Sequence, residues 1–63
     1  MPIIHVEMLE GRPAEAKRKF AAEATRLTCD CFGVAPEQVR IIFSEMPRGN
    51  FSIAGVLRSD ILT

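Results

Sequence analysis

The sequence predicts an α+β fold in which a parallel β-α-β unit is followed by a C-terminal β-hairpin. A strand-like apolar stretch at residues 2–9 precedes a helical stretch at residues 13–32, and a second apolar stretch follows at residues 39–44. A helix of about five turns between two strands is a crossover connection, which makes the strands parallel and the crossover right-handed. Residues 51–58 contain two short apolar stretches around a turn, which predicts the hairpin.

The first strand carries apolar side chains on both of its faces. Its residues alternate between one face, with Pro2, Ile4, Val6 and Met8, and the other, with Ile3, His5, Glu7 and Leu9. This pattern is typical of a strand that is largely covered on both sides. Glu10 and Gly11 form the turn that ends the strand, and Pro13 begins the helix, because proline is favoured at the first helical position.

One face of the helix is apolar and is expected to pack on the sheet. Its residues recur at the spacing of helical turns: Phe20, Ala24, Leu27 and Cys31. We therefore expect Cys31 to be buried and Cys29, two residues earlier, to point elsewhere, so that both thiols are free. Glu15 is placed to pair with Lys19, four residues on. The basic run at residues 17–19 is expected on the solvated face.

The second half of the chain completes the sheet and adds the hairpin. Gly33 is the expected helix terminator. The second strand alternates between Val39, Ile41 and Phe43 on one side and Arg40, Ile42 and Ser44 on the other. After turn-forming residues 46–50, the segments 51–53 and 56–58 flank Ala54-Gly55 and form the hairpin.

The length of the chain predicts a single domain, residues 1–63, that cannot complete its own core. A chain this short buries only about 60% of its unfolded surface, yet 48% of its residues are hydrophobic. One helix covers one face of a two-stranded sheet. We therefore expect a homo-oligomer in which other copies complete the two-layer sandwich.

Composition and charge narrow the functional class. Eight basic residues balance eight acidic ones, whereas a nucleic-acid-binding domain usually has a basic excess. No apolar stretch approaches the length of a transmembrane helix, and the N-terminus lacks the positive charge of a signal peptide. Two cysteines and one histidine do not form a metal-binding pattern. We expect a cytoplasmic protein that binds neither nucleic acid nor membranes.

Three residues carry candidate chemistry. Removal of Met1 would make Pro2 an N-terminal secondary amine, which can act as a general base. Arg12 lies beside the helix N-terminus, a favourable place for an anion. Arg40 is a charge in an apolar strand, where an unpaired guanidinium is costly. The pattern alone favours a structural role for both arginines, with Arg40 extending to a rim or pairing with a carboxylate such as that of Glu7, Glu10 or Glu45.

Several segments in order resemble the 4-oxalocrotonate tautomerase family. They are Pro2, residues 9–12, residues 39–42, Glu45-Met46 and residues 51–53. The resemblance spans nearly the whole chain and implies the same β-α-β-hairpin plan. It also implies a homohexamer, a trimer of dimers, with active sites at the subunit interfaces.

The resemblance assigns a role to each matching residue. Pro2 matches the catalytic proline that moves a proton between the oxygen and carbon atoms of an enol acid. Arg40 matches an arginine, donated by a neighbouring subunit, that binds the carboxylate and oxygen at the 2-keto end. Arg12 matches the arginine that holds the distal carboxylate, and Phe51 the aromatic residue that keeps the site apolar. Burial beside Phe51 and nearby guanidinium charges would both lower the pKa of the Pro2 amine.

Leu9 and Ile53 stand at places where related hydratases and dehalogenases carry charged residues, so activation of water is disfavoured and both are expected to contact the substrate. The resemblance thus implies a tautomerase that converts 2-hydroxy-dienoates such as 2-hydroxymuconate to 2-keto acids in aromatic catabolism, without a metal or an organic cofactor. A relative recruited to a biosynthetic pathway is an alternative. A catalytically silent oligomer that binds small carboxylates or proteins is another, and a retained Met1 favours it because the Pro2 nitrogen is then an amide.

Overall fold

Two parallel strands joined by one helix form the larger part of the chain. The computed structural model describes residues 1–61. Strand β1 (Ile3–Leu9) pairs in parallel with β2 (Arg40–Met46), and helix α1 (Ala14–Phe32) connects them. Each residue of β1 lies opposite one residue of β2, from the first to the last. The predicted β-α-β unit is confirmed.

A short hairpin follows and forms a sheet of its own. Strands β3 (Ser52–Ile53) and β4 (Val56–Leu57) pair antiparallel. Each strand is one residue shorter than predicted. The turn consists of Ala54 and Gly55, whose φ angles are 52° and 82°. Positive φ at both central residues is what a type I′ hairpin turn requires, because its twist matches that of the flanking strands.

Some element boundaries differ from those that the sequence predicts. The helix begins at Ala14, because Pro13 is extended, with ψ at 156°, and is the residue that precedes the first helical turn. The second strand begins at Arg40, because the Val39 amide donates to a short 3-10 turn, Pro36–Gln38, and not to β1. The helix ends as predicted, at a glycine with φ at 67°.

Helix α1 covers one face of the β1–β2 sheet. The β1 side chains on the face that the helix covers are half-buried: Ile4, Val6 and Met8. Their neighbours on the other face are exposed: Ile3, His5 and Glu7. On the covered side the rings of Phe20 and Phe43 meet edge to face, with centroids 5.9 Å apart at 71°. The other side, which we call the open face, has no cover within the described residues.

The helix face that contacts the sheet is rotated from the predicted one. Leu27 is 61% exposed and Cys31 is exposed, so the expectation that Cys31 is buried is wrong. Phe20, which meets Phe43, and the half-buried Ala24 lie on the sheet side as predicted, and the other residues there are Lys17, Ala21 and Thr28. Thr28 is 7% exposed, and its hydroxyl donates to the Ala24 carbonyl at 2.7 Å. This bond satisfies the buried hydroxyl.

The surface of the helix carries ion pairs within α1. Glu15 pairs with Arg18, three residues on, and not with Lys19 as predicted. Positions three and four residues apart are both neighbours on a helix, so either pairing is sterically accessible. Glu23 pairs with Arg26 at 2.6 Å. The hydrogen bond that Arg26 donates to Glu23, and then the negative charge of Glu23, raise the pKa of Arg26 above its ordinary value.

A single copy leaves much apolar surface uncovered. Within residues 1–61 no hydrophobic residue is buried. The exposed large side chains are Met1, Ile3, Phe20, Leu27, Phe32, Ile42, Phe51, Ile53, Val56, Leu57 and Ile61. The radius of gyration is 15.0 Å, and the extents are 44 × 23 × 14 Å. A compact chain of this length has a radius of about 11 Å. The lone chain therefore lacks a closed core.

Candidate active site

Pro2 and Arg40 lie together where the two parallel strands begin. The Arg40 amide donates to the Pro2 carbonyl at 3.0 Å, one step before the first paired residues. Pro2 is half-buried, whereas Met1 is 67% exposed. While Met1 is attached, the Pro2 nitrogen is an amide and cannot accept a proton. Exposure of Met1 leaves the bond before Pro2 at the surface.

The side chains of these two residues belong to opposite faces of the sheet. Arg40 lies opposite Ile3, and Ile3 is exposed on the open face. Residues paired in register share a face, and successive residues alternate. Arg40 is therefore on the open face, and Pro2, one residue before Ile3, is on the side that the helix covers. One chain does not bring the Pro2 ring and the Arg40 guanidinium to the same side.

The Arg40 guanidinium is held by a single backbone group. Its Nη1 donates to the carbonyl of Glu37 at 2.9 Å. The alternative in which Glu7, Glu10 or Glu45 neutralises it does not occur among the described residues. A guanidinium has five N–H donors. Most of those of Arg40 are therefore available to an anion.

Leu9 and Arg12 lie at the opposite end of β1. Both line a groove of about 530 Å³ between α1 and the sheet. Its other walls are mostly apolar: Val6, Met8, Ala16, Lys17, Phe20 and Phe43. Within residues 1–61 the Arg12 guanidinium has no hydrogen-bond or ion-pair partner. The groove thus offers a free cation beside an apolar surface.

The two ends of β1 are too far apart to hold one small molecule. Strand β1 has seven residues, and a strand rises about 3.3 Å per residue, so Pro2 and Arg12 are separated by about 20 Å or more. A six-carbon dicarboxylate is far shorter. Any site that contains both residues must therefore take them from different copies of the chain.

Phe51 and Ile53 lie on the C-terminal hairpin and are 38% and 57% exposed. The Phe51 carbonyl accepts the Arg58 amide at 2.7 Å, which extends the pairing of the hairpin. Neither residue lines the groove that contains Arg12. Within one chain the hairpin thus presents two apolar side chains outward, and the structure does not bring them to Pro2 or Arg12.

Sequence reasoning missed the contact between Lys17 and Glu45, although it named Glu45 as a possible partner of Arg40. Lys17, assigned to the solvated basic run, lines the groove and donates to Glu45 Oε1 at 2.9 Å. The signal was present in the spacing, because Lys17 precedes Ala21 by four residues and Ala24 by seven, on one helical face. Lys17 was not predicted there because the helix face was identified from apolar residues, and Lys17 is charged.

Two further classes of site can be compared with the structure. Within residues 1–61, no group of three histidine, cysteine, aspartate or glutamate side chains is placed to hold a metal ion. Cys29 is half-buried and Cys31 exposed, and both thiols are free. No helix in this part of the chain combines the length and the hydropathy needed to cross a membrane.

Comparison with known proteins supports one family over the whole chain. The tautomerase enzyme family matches residues 2–61. A probable tautomerase of Lactiplantibacillus plantarum is 33% identical over 60 residues, which cover 95% of this chain and 94% of that protein. The crystal structure of a 4-oxalocrotonate tautomerase homologue has a TM-score of 0.94 at 36% identity and covers 100% of both chains. A heterohexameric 4-oxalocrotonate tautomerase from Chloroflexus aurantiacus has a TM-score of 0.87 at 27% identity, covering 98% of this chain and 100% of that one. The chain belongs to the tautomerase family.

Proposed function

We propose that this protein is a tautomerase that converts 2-hydroxy-dienoates, such as 2-hydroxymuconate, to 2-keto acids without a cofactor. Membership of the tautomerase family supports the reaction class. The observation that carries the site is the pair of guanidiniums available to anions: Arg12 has no partner among the described residues and lines an apolar groove, and Arg40 has one backbone contact. Dienols formed when aromatic rings are degraded are the substrates that we propose.

The proposed reaction is a proton transfer within the substrate. With Met1 removed, the Pro2 nitrogen accepts the proton of the 2-hydroxyl group as the C2–O bond becomes a carbonyl and the double bonds shift. The protonated amine then returns a proton to a carbon atom of the substrate, so that substrate and product are isomers. Leu9, Phe51 and Ile53 supply an apolar surface, which strengthens the electrostatic interactions inside the site.

The two arginines suit the two ends of a diacid. A guanidinium can bind a carboxylate through two parallel hydrogen bonds. We assign Arg12 to the distal carboxylate because its guanidinium is free and lines an apolar groove. We assign Arg40 to the carboxylate and oxygen at the 2-keto end, where negative charge grows during proton transfer. Its single contact with a backbone carbonyl leaves donors for this role.

We propose that the active unit is a homohexamer, a trimer of dimers. The uncovered apolar side chains of a single copy require partners. The separation of Pro2 from Arg12 along β1 and the opposite faces of Pro2 and Arg40 both require residues from different copies. The heterohexameric relative supports an assembly of six. In this proposal Pro2 of one subunit works with arginines of its neighbours.

The experiment joins a mass measurement to an activity assay. Intact mass of the natively expressed protein reports whether Met1 is present, and the ultraviolet absorbance of 2-hydroxymuconate reports its turnover. We expect the trimmed protein to be active. A matched protein with one extra residue before Pro2 should be nearly inactive, since general-base catalysis contributes about 10²–10⁴-fold. Absence of turnover by the trimmed oligomer, or equal turnover by both proteins, would contradict the proposal.

A second candidate is an oligomer that binds small carboxylates without catalysis. The free guanidinium of Arg12 and the spare donors of Arg40 favour it, because both could bind anions whether or not Pro2 is an amine. Native protein that retains Met1, binds dicarboxylates and leaves the dienol unchanged would establish this function instead.

A further inference from the structure

An ion pair connects the beginning of the helix to the end of the second strand. Lys17 Nζ and Glu45 Oε1 are 2.9 Å apart, and their side chains are 28% and 32% exposed. By contrast, the Glu15–Arg18 pair lies within the helix, and its side chains are 83% and 70% exposed. The Lys17–Glu45 pair therefore joins two elements at a partly desolvated place, where a charge pair is less screened by water.

The strand pattern explains why Glu45 is available for this contact. Ile41 and Phe43 lie on the side of β2 that α1 covers, and Glu45 is the next residue on that side. It is thus a carboxylate at a position where the rest of the strand carries apolar residues. Lys17 occupies the matching place on the helix, at the end of the first turn.

The pair holds the segment that carries Arg12. This β1–α1 segment, residues 10–13, connects β1 to α1. Contacts at its two ends attach it to two consecutive residues of β2, Glu45 and Met46. The Glu10 amide donates to the Met46 carbonyl at 2.9 Å, and Lys17 reaches the carboxylate of Glu45. Arg12 lies between these attachments. Pro13, which precedes the helix, makes no side-chain capping hydrogen bond, so this common local anchor is missing at the helix start.

The charge of Lys17 is neutralised where that of Arg12 is not. Both residues line the same groove, but Lys17 has the Glu45 carboxylate as its partner while Arg12 has none among the described residues. A carboxylate that enters the groove therefore meets Arg12 as the uncompensated cation. Lys17 would have to give up an existing ion pair to bind it.

We infer that Lys17 and Glu45 are a positioning pair: they fix the β1–α1 segment so that Arg12 is presented to a carboxylate in the groove. This inference rests on the proposed role of Arg12 in binding diacids, and it assigns no contact with substrate to Lys17. Loss of either partner frees the segment, so that Arg12 must be ordered again whenever a diacid binds.

The test uses two unreactive ligands that differ by one carboxylate. Calorimetry on the oligomer gives dissociation constants for adipate and hexanoate, both six-carbon acids. We expect the wild-type protein to bind adipate more tightly. Lys17→Met keeps the apolar stem and removes the charge, and Glu45→Gln removes the other partner. Each should weaken adipate binding by up to about fivefold, the upper limit for an exposed ion pair, and leave hexanoate binding unchanged. The double variant should lose no more than either single one.

The sign of the Glu45→Gln effect separates positioning from direct binding. If Lys17 itself gripped the ligand, removal of its competitor would tighten adipate binding. Arg18→Met is the matched control, because it removes one positive charge from the same end of the helix and should change neither constant. The exchanged pair, Lys17→Glu with Glu45→Lys, should restore adipate binding if the pair acts through position.

The outcomes decide the inference without relying on turnover. Tighter adipate binding in Glu45→Gln, equal weakening of both ligands, no change in any variant, or a wild-type protein that does not prefer adipate would each overturn it. A wild-type protein that prefers adipate but does not turn over 2-hydroxymuconate would contradict the proposed catalysis alone. Circular dichroism and sedimentation identify a variant that has lost its fold, and the exchanged pair then provides the comparison.

Discussion

Ile3 lies opposite Arg40 in the parallel ladder, and this pairing puts the Arg40 side chain on the open face of the sheet. Pro2 precedes Ile3 by one residue and falls on the other face, although its carbonyl accepts the Arg40 amide. The two residues are thus joined by a backbone hydrogen bond between the strands, while their side chains lie on opposite faces of the sheet. A site in which Pro2 and an Arg40 guanidinium act on one substrate requires a second copy of the chain.

Replacement of Arg40 tests the role that we propose at the 2-keto end. Arg40→Ala should lower kcat for 2-hydroxymuconate by about 10²–10³-fold, because the lost donors would stabilise charge that grows in the transition state. Steady-state kinetics measures the effect. Arg48→Ala serves as a control for loss of one exposed guanidinium. A change confined to KM would contradict the role.

Replacement of Arg12 should have a different kinetic effect. Arg12 would hold the distal carboxylate in the ground and transition states alike, so Arg12→Ala should raise KM with a smaller change in kcat. A dienol with one carboxylate offers Arg12 nothing to bind, and its kinetics should change far less. Equal losses on the diacid and the monoacid would indicate a structural arginine.

The open face of the sheet should be an interface between copies. Ile42 is 50% exposed on this face, with His5 as its partner in β1. Ile42→Glu would place a charge in a desolvated contact, which is costly without a partner. We expect sedimentation velocity to show dissociation or loss of the folded oligomer. Lys19→Glu, on the exposed side of the helix, should keep the assembly intact, and an Ile42→Glu protein of unchanged size would exclude this face as an interface.

The hairpin turn contains a conformation that alanine adopts at a cost. Ala54 has φ at 52°, in the left-handed region. This conformation costs an ordinary residue about 1–2 kcal/mol, because its Cβ approaches a carbonyl oxygen. Asparagine tolerates this region and is the preferred first residue of a type I′ turn before glycine. Ala54→Asn should therefore raise the free energy of unfolding by up to about 1 kcal/mol, measured with denaturant at a fixed protein concentration.

Replacement of the neighbouring glycine, Gly55, should have the opposite effect on stability. Gly55 has φ at 82°, and a Cβ there would meet nothing within 4 Å. Gly55→Ala should therefore destabilise the hairpin through backbone conformation alone. A stability gain from Gly55→Ala, or a loss from Ala54→Asn, would show that contacts with other copies control this turn.

The sequence alone was sufficient for the order and type of the elements. Alternation in β1, a helical period between Pro13 and Gly33, and the turn at Ala54-Gly55 are local signals, and each acts within a few residues of itself. The matching segments were likewise sufficient for the family, because they occur in order over nearly the whole chain. The observed element boundaries differ from the predicted ones by one or two residues, because they depend on backbone hydrogen bonds that the sequence pattern does not show.

The tertiary structure decided which residues of different elements are in contact. Phe20 contacts the sheet as predicted, but the rotation of α1 on the sheet buries Thr28 and leaves Leu27 and Cys31 exposed. The Lys17–Glu45 pair joins residues 28 positions apart, a distance over which the sequence pattern carries no information. The opposite faces of Pro2 and Arg40 arise in the same way, since the register of β1 against β2 is contained in neither strand alone.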